Sequence, residues 1–167
     1  MTTKQQTLRP ENLVIPPTKG SYILFLRLAR KRQIDVGRLG TVTFSKGYYA
    51  YTGSACGPGG LAARLRHHLR SKTHLHWHID YLIQHTTLSE IWLSDDGRNH
   101  EHLWAETLQQ LKGSSLPAAG FGSTDCRCPS HLIHFSGPVS RRSFIRHSKT
   151  KPRTVAIYSG CQKNVPL

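Results

Sequence analysis

The segment from Tyr49 to Arg70 gathers residue types that handle phosphate chemistry. Tyr49 and Tyr51 alternate at the two-residue period that puts side chains on one face of a strand. Gly53, Gly57, Gly59 and Gly60 then break any regular pattern. From Leu61 the spacing turns helical, with Leu61, Leu65 and Leu69 on one face and Arg64 and His68 four apart beside them. A glycine turn running into a basic helix is expected to make an anion site, from free backbone N–H groups at the helix start plus guanidinium charge. That pattern serves phosphate in many settings and specifies no reaction by itself. The bland alternative for Arg64 and His68 is a solvated basic face.

Charge points the same way. Of 167 residues, 23 are Lys or Arg and 9 are Asp or Glu, a formal net charge of +14, which fits a polyanionic partner. No carboxylate lies between Asp35 and Asp80, and none follows Asp125. Asp80 and Glu101 therefore stand out in basic surroundings. The first residues are polar and no apolar run reaches membrane-spanning length, so the expectation is a soluble, cytoplasmic protein with no membrane partner. Cys56, Cys126, Cys128 and Cys161 are too few and too irregular for a secreted disulfide framework.

The elements that must carry these residues read as α+β. Residues 1–19 form a tail or arm, 20–136 the domain, and 137–167 a basic extension with a loose apolar patch at Val155, Ala156, Ile157 and Tyr158. Residues 21–28 are a continuous apolar strand. Short strands follow at 34–37 and 40–44, then the tyrosine strand, joined by connections too short for a crossover helix and therefore an antiparallel meander. Helices are expected from Leu61 to Ser71, around Ile79 to Ile83, and from Glu101 to Lys112, with Leu103, Leu108 and Leu111 as apolar positions and Gly113 as the stop. Strands are expected at 88–93 and 132–135.

On Gly20-Ser21-Tyr22, Tyr51-Thr52-Gly53, and the helix carrying Arg64 and His68, the chain resembles the GIY-YIG nuclease superfamily. Ser21 and Thr52 replace the isoleucines that name the motifs, and the long spacing between Tyr22 and Tyr51 requires an inserted hairpin. It is similar, more specifically, to a branch also found as an extension on archaeal endonuclease III proteins. The residues behind that likeness are Gly53-Ser54-Ala55, Gly59-Gly60-Leu61, His76-Trp77-His78-Ile79-Asp80-Tyr81, and Gly120-Phe121-Gly122-Ser123-Thr124-Asp125-Cys126. The resemblance covers roughly residues 20–135.

The resemblance implies a small antiparallel sheet flanked by helices and a phosphodiesterase dependent on Mg²⁺ or Mn²⁺. Tyr22 and Tyr51 would position or deprotonate water, Arg64 would hold a phosphoryl oxygen, and His68 would donate a proton or contact phosphate. Glu101 would hold the metal, with Glu106 as its competitor and Asn99 a positional guess for a late asparagine of the superfamily. Lys46, Arg66, Arg70, Lys72, His78 and Asp80 are expected to contact the nucleic acid, DNA rather than RNA by the endonuclease III association, with no small-molecule cofactor. A phenol with an ordinary pKa near 10 is a poor base at neutral pH, so either tyrosine needs a cation or a partner to act.

Two further constellations are open. His74, His76, His78 and Asp80 have ligand types that suit a transition metal, against a plain reading as a hydrogen-bonded helix start around buried Trp77. Cys126-Arg127-Cys128 with His131 has zinc-like content, but one residue between cysteines is tighter than structural sites use, so a tight turn with Asp125 capping backbone and Cys126 buried is expected and zinc is not. The function expected is a metal-dependent endonuclease; the alternative is a non-catalytic DNA- or RNA-binding module.

Overall fold

Thirteen segments of a computed structural model carry the architecture, which is described for residues 13–155 and 157. Residues 1–12 of the expected tail, Ala156 and Tyr158 of the expected apolar patch, and Cys161 lie outside the described residues. Strand β1 (Gly20–Leu28) is the axis. β4 (Gly47–Ala55) pairs along its whole length on one side and β5 (Thr87–Ser94) on the other, both antiparallel. β7 (Leu132–Phe135) and β6 (Ser114–Ser115) continue the sheet beyond β4, and β8 (Arg153–Val155) closes it beyond β5, giving the order β6-β7-β4-β1-β5-β8. The α+β class expected from the sequence is what the chain adopts.

The meander is not. β2 (Arg32–Asp35) and β3 (Thr41–Phe44) pair only with each other, as a hairpin inserted between β1 and β4, so β4 returns directly to β1. Connection length excludes a crossover helix but does not decide which strand pairs with which.

Sheet position explains burial. Because β1 is central, its side chains are covered on both faces, and its sequence is a continuous apolar run rather than an alternation. One face carries Tyr22, Leu24, Leu26 and Leu28 with Tyr49 and Tyr51 of β4; it packs on α1 (Gly60–Leu69) and α2 (His78–Ile83) through Leu61, Leu65, Ile79 and Leu82. The other face carries Ile23, Phe25, Ala50 and Trp92, and packs on α3 (Glu101–Gln110) and α4 (Arg141–Ser148). In α3 the inward residues are Trp104, Ala105, Thr107 and Leu108, whereas Leu103 is exposed.

The segment read as a basic extension supplies α4 and β8. Phe144 of α4 is fully buried, its ring 5.3 Å from Trp92 and 5.9 Å from Trp104 between centroids, and Val155 of β8 is buried opposite Ile91. The seven Lys and Arg residues after Ser140 masked this one inward aromatic stripe.

Residues 13–18, expected to belong to the tail, are tied to the domain as well. Leu13 is buried, and the carbonyls of Thr18 and Pro16 accept from the N–H groups of Leu61 and Ala62 at 2.9 and 3.1 Å. The anion site expected at the start of α1 is therefore taken by the chain's own backbone. Gly60 permits this crossing, because a Cβ there would lie 2.2 Å from the Thr18 carbonyl oxygen.

Phe144→Ala is expected to cost about 3 to 5 kcal/mol through the cavity left between two tryptophans, read as a lower urea midpoint; an unchanged midpoint would show that α4 is dispensable to the core.

Candidate active site

Tyr22 and Tyr51 reach the same face of the sheet from neighbouring strands, since Tyr22 pairs with Gly53 and Leu24 with Tyr51. Gly53 makes room: a Cβ at that position would lie 2.3 Å from the Tyr22 hydroxyl. The ring of Tyr22 thus lies over the strand end and its hydroxyl meets His68 of α1, with Nε2 at 2.8 Å.

His68 is buried, and its other ring nitrogen, Nδ1, stands 3.6 Å from Asp80 Oδ1. Asp80 is buried at the third position of α2. Its Oδ2 accepts from the backbone N–H groups of His76 and Trp77, both at 3.0 Å, and its Oδ1 pairs with the Lys72 ammonium. A carboxylate reaching back to the N–H groups before its own helix is the acidic half of a capping box. Here it also faces an imidazole. Burial alone would raise the Asp80 carboxyl, yet His68, Lys72 and the two N–H groups together hold it well below the ordinary carboxylate range. Burial pushes the His68 imidazole below its ordinary value, against the opposing pull of Asp80. A neutral His68 with Nδ1–H toward Asp80 leaves Nε2 as the acceptor for the Tyr22 hydroxyl.

Arg64, one turn before His68, holds its guanidinium 4.7 Å from the centre of the Trp77 ring and makes no ion pair among the described residues. Burial raises Tyr22 and Tyr51 well above an ordinary phenol, and Arg64 offsets part of that in both.

Glu101 arrives from the far side of the sheet end. Ser21, buried in β1, accepts from the His100 N–H at 2.7 Å and donates to the Arg98 carbonyl at 3.2 Å, fixing the turn before α3. Asn99 Oδ1 accepts from the Glu101 N–H at 2.9 Å. The Glu101 carboxylate then accepts from the Ser54 hydroxyl at 2.8 Å and lies 3.2 Å from His131 Nδ1. Although burial opposes it, these two partners hold Glu101 below its ordinary value. Glu106 is exposed, accepts from Gln110 and does not line the pocket that Glu101 lines. Each Glu101 oxygen has one neighbour and keeps lone-pair capacity, and a single carboxylate completed by waters and substrate phosphate is a common protein share of a Mg²⁺ site.

Tyr22, Tyr51, Arg64, His68 and Glu101 all line one open pocket of about 640 Å³. His78 and Asn99 line it too, His78 accepting from the Gly122 N–H at 3.1 Å. The expected nucleic-acid contacts divide. Arg66 and Arg70 are exposed on α1. Lys72 and Asp80 are spent on each other behind His68 and present no free charge. Lys46 sits before β4, five residues and about 17 Å of strand from Tyr51, outside the pocket. His74 and His76 are exposed and Asp80 is already satisfied, so that constellation is a helix start, with Trp77 half-buried rather than buried.

Sequence reasoning missed Ser21, Ser54 and His131 as positioning groups. Ser21 and Ser54 had a signal, being hydroxyls inside otherwise apolar strands.

His68 makes stability pH-dependent. Below about pH 6.5 the unfolded imidazole takes a proton that the folded one refuses, so stability is full above that value and falls as pH drops through it. Melting temperature is expected to fall between pH 7 and pH 5. In His68→Gln the slope should flatten, by at most about 1.4 kcal/mol per pH unit; an identical slope in the variant would contradict the buried neutral imidazole.

Among the described residues no helix is long and apolar enough to cross a membrane. No curated protein and no solved structure matches the chain. A family model described as Domain of unknown function DUF123 matches residues 21–152, a span that runs from β1 through α4 and includes every residue of the pocket. The chain belongs to the DUF123 family.

Proposed function

We propose that this chain is a metal-dependent endonuclease that hydrolyses nucleic-acid phosphodiester bonds with the chemistry of the GIY-YIG superfamily. The observation that carries the reading is the convergence of Tyr22, Tyr51, Arg64, His68 and Glu101, from β1, β4, α1 and α3, on one pocket. The formal charge of +14, with Arg66 and Arg70 exposed, supports a polyanionic substrate.

The buried relay resolves the weakness of a phenol as base. A tyrosinate is out of reach near neutral pH when burial raises Tyr22. Tyr22 instead passes its hydroxyl proton to His68 Nε2, 2.8 Å away, as it accepts one from the attacking water. Asp80, 3.6 Å from Nδ1, stabilises the imidazolium that forms and keeps the ring in the tautomer that leaves Nε2 free, the logic of a catalytic triad with a phenol in place of the serine. Arg64, held over the Trp77 ring and without an ion pair among the described residues, offers its fork to the phosphoryl oxygens as charge builds on them. Mg²⁺ or Mn²⁺ on Glu101 would supply charge neutralisation at the leaving oxygen. Tyr51 lines the pocket beside Tyr22 and orients the water.

Arg64→Ala and Glu101→Ala are each expected to abolish cleavage of labelled branched or flapped DNA in Mg²⁺ or Mn²⁺, with circular dichroism spectra unchanged. Full cleavage by either variant would sink the assignment. If the unaltered chain binds DNA or RNA with a steep salt dependence and yields no product in any divalent metal, the non-catalytic binding module is the correct reading.

A further inference from the structure

On one wall of the same pocket, lined by His102, Cys126 and His131, the fold builds a second cluster that the nuclease chemistry leaves unused. His102, in the first turn of α3, is brought against Cys126 and Cys128 of the loop before β7, and one ligand atom from each lies within 4.8 Å of the others. His131 lies next to this three-residue group rather than within it: its Nε2 is 3.4 Å from Cys126 Sγ, and its ring centre is 5.5 Å from that of His102. In a tetrahedral zinc site, with Zn–S near 2.3 Å and Zn–N near 2.0 Å, neighbouring ligand atoms stand ~3.3 to 3.8 Å apart. Both cysteines are free thiols and only half-buried. Cys126, expected to be buried in a tight turn, faces the histidines instead.

We infer that Cys126, Cys128, His102 and His131 form a structural zinc site that staples the loop before β7 to the start of α3.

Three independent features support it. The ligand set is two thiolates and two imidazoles, a closed composition for structural zinc. Residues 116–131 contain no helix or strand and bury one large apolar side chain, Phe121, so a loop of this length has little core of its own to fix it. The outer contacts of the ligands are also in place. His131 is buried with its Nδ1 3.2 Å from Glu101, the carboxylate partner that metal-bound histidines commonly have on their second nitrogen. Its backbone is clamped at both ends, N–H to the Phe121 carbonyl at 2.8 Å and carbonyl to the Thr52 N–H at 3.0 Å.

The short spacing between the cysteines, which counted against zinc in the sequence, matters less here. The two thiols are not asked to close the site alone, because His102 comes from a segment more than twenty residues earlier. By holding His131, the zinc also fixes Glu101, and so supports the pocket without taking part in its chemistry. The inference stands whether or not the chain cleaves nucleic acid.

The test is metal analysis of the full chain, purified without added metal and passed through a weak chelator. One zinc per chain is expected, and replacement by Co²⁺ should give thiolate-to-cobalt charge-transfer absorption in the near ultraviolet. Cys128→Ser and His102→Ala should each lower zinc occupancy at least tenfold under the same wash, whereas Cys56→Ser, at an exposed thiol outside the cluster, should keep it. Should the cluster variants fail to fold, thiol titration of the unaltered chain decides: Cys126 and Cys128 should be protected until a strong chelator is added. Absence of zinc with freely reactive thiols, cobalt spectra lacking the thiolate band, or full zinc in Cys128→Ser would each overturn the site.

Discussion

One buried carboxylate organises the pocket. Asp80 accepts from two backbone N–H groups, pairs with an ammonium and faces an imidazole at 3.6 Å, and every one of those neighbours has a position to hold. The N–H groups start α2, Lys72 anchors the connection from α1, and His68 is fixed so that its far nitrogen meets Tyr22. Burying charge in this way costs solvation that pairing only offsets, and removing one partner would strand the others. The pair of Lys72 and Asp80 is therefore weak evidence for stability and strong evidence for a defined geometry around His68.

The opposite half of the pocket rests on hydrogen bonds, the last of them to a carboxylate. Ser21 in the central strand grips the turn ahead of α3, Asn99 caps that helix, and Ser54 with His131 receives the Glu101 carboxylate. Both halves depend on β1, which carries Tyr22 toward α1 and Ser21 toward α3 on successive residues. A strand's two-residue alternation thus distributes two consecutive side chains to the two lobes of one site.

Much of this was legible in the sequence for physical reasons. Tyr22, Tyr51, Arg64, His68 and Glu101 were singled out by the likeness to the GIY-YIG motifs, and all five line one pocket. Helix α2 and strand β7 followed from periodicity and composition. The inserted hairpin followed from the long spacing between Tyr22 and Tyr51, whereas the direct return of β4 to β1 did not, because tertiary contact and not connection length decides which strands pair. Nor did the roles of Lys72 and Asp80: a charge reads as surface until a partner of opposite sign is seen to bury it. His102 was invisible beside Cys126 and Cys128, since ligands from separate segments leave no local spacing to detect.

The relay from Tyr22 to His68 is the centre of the account, and hydrolysis by it has one direct readout. Single-turnover cleavage of a branched DNA in ¹⁸O-labelled water, by the unaltered chain and by Tyr22→Phe, measures both the attacking group and the need for the phenol. Label on the newly formed terminal phosphate, with a rate at least about 100-fold lower in the variant, is the predicted result. Unlabelled phosphate, or an unchanged rate in Tyr22→Phe, would contradict it.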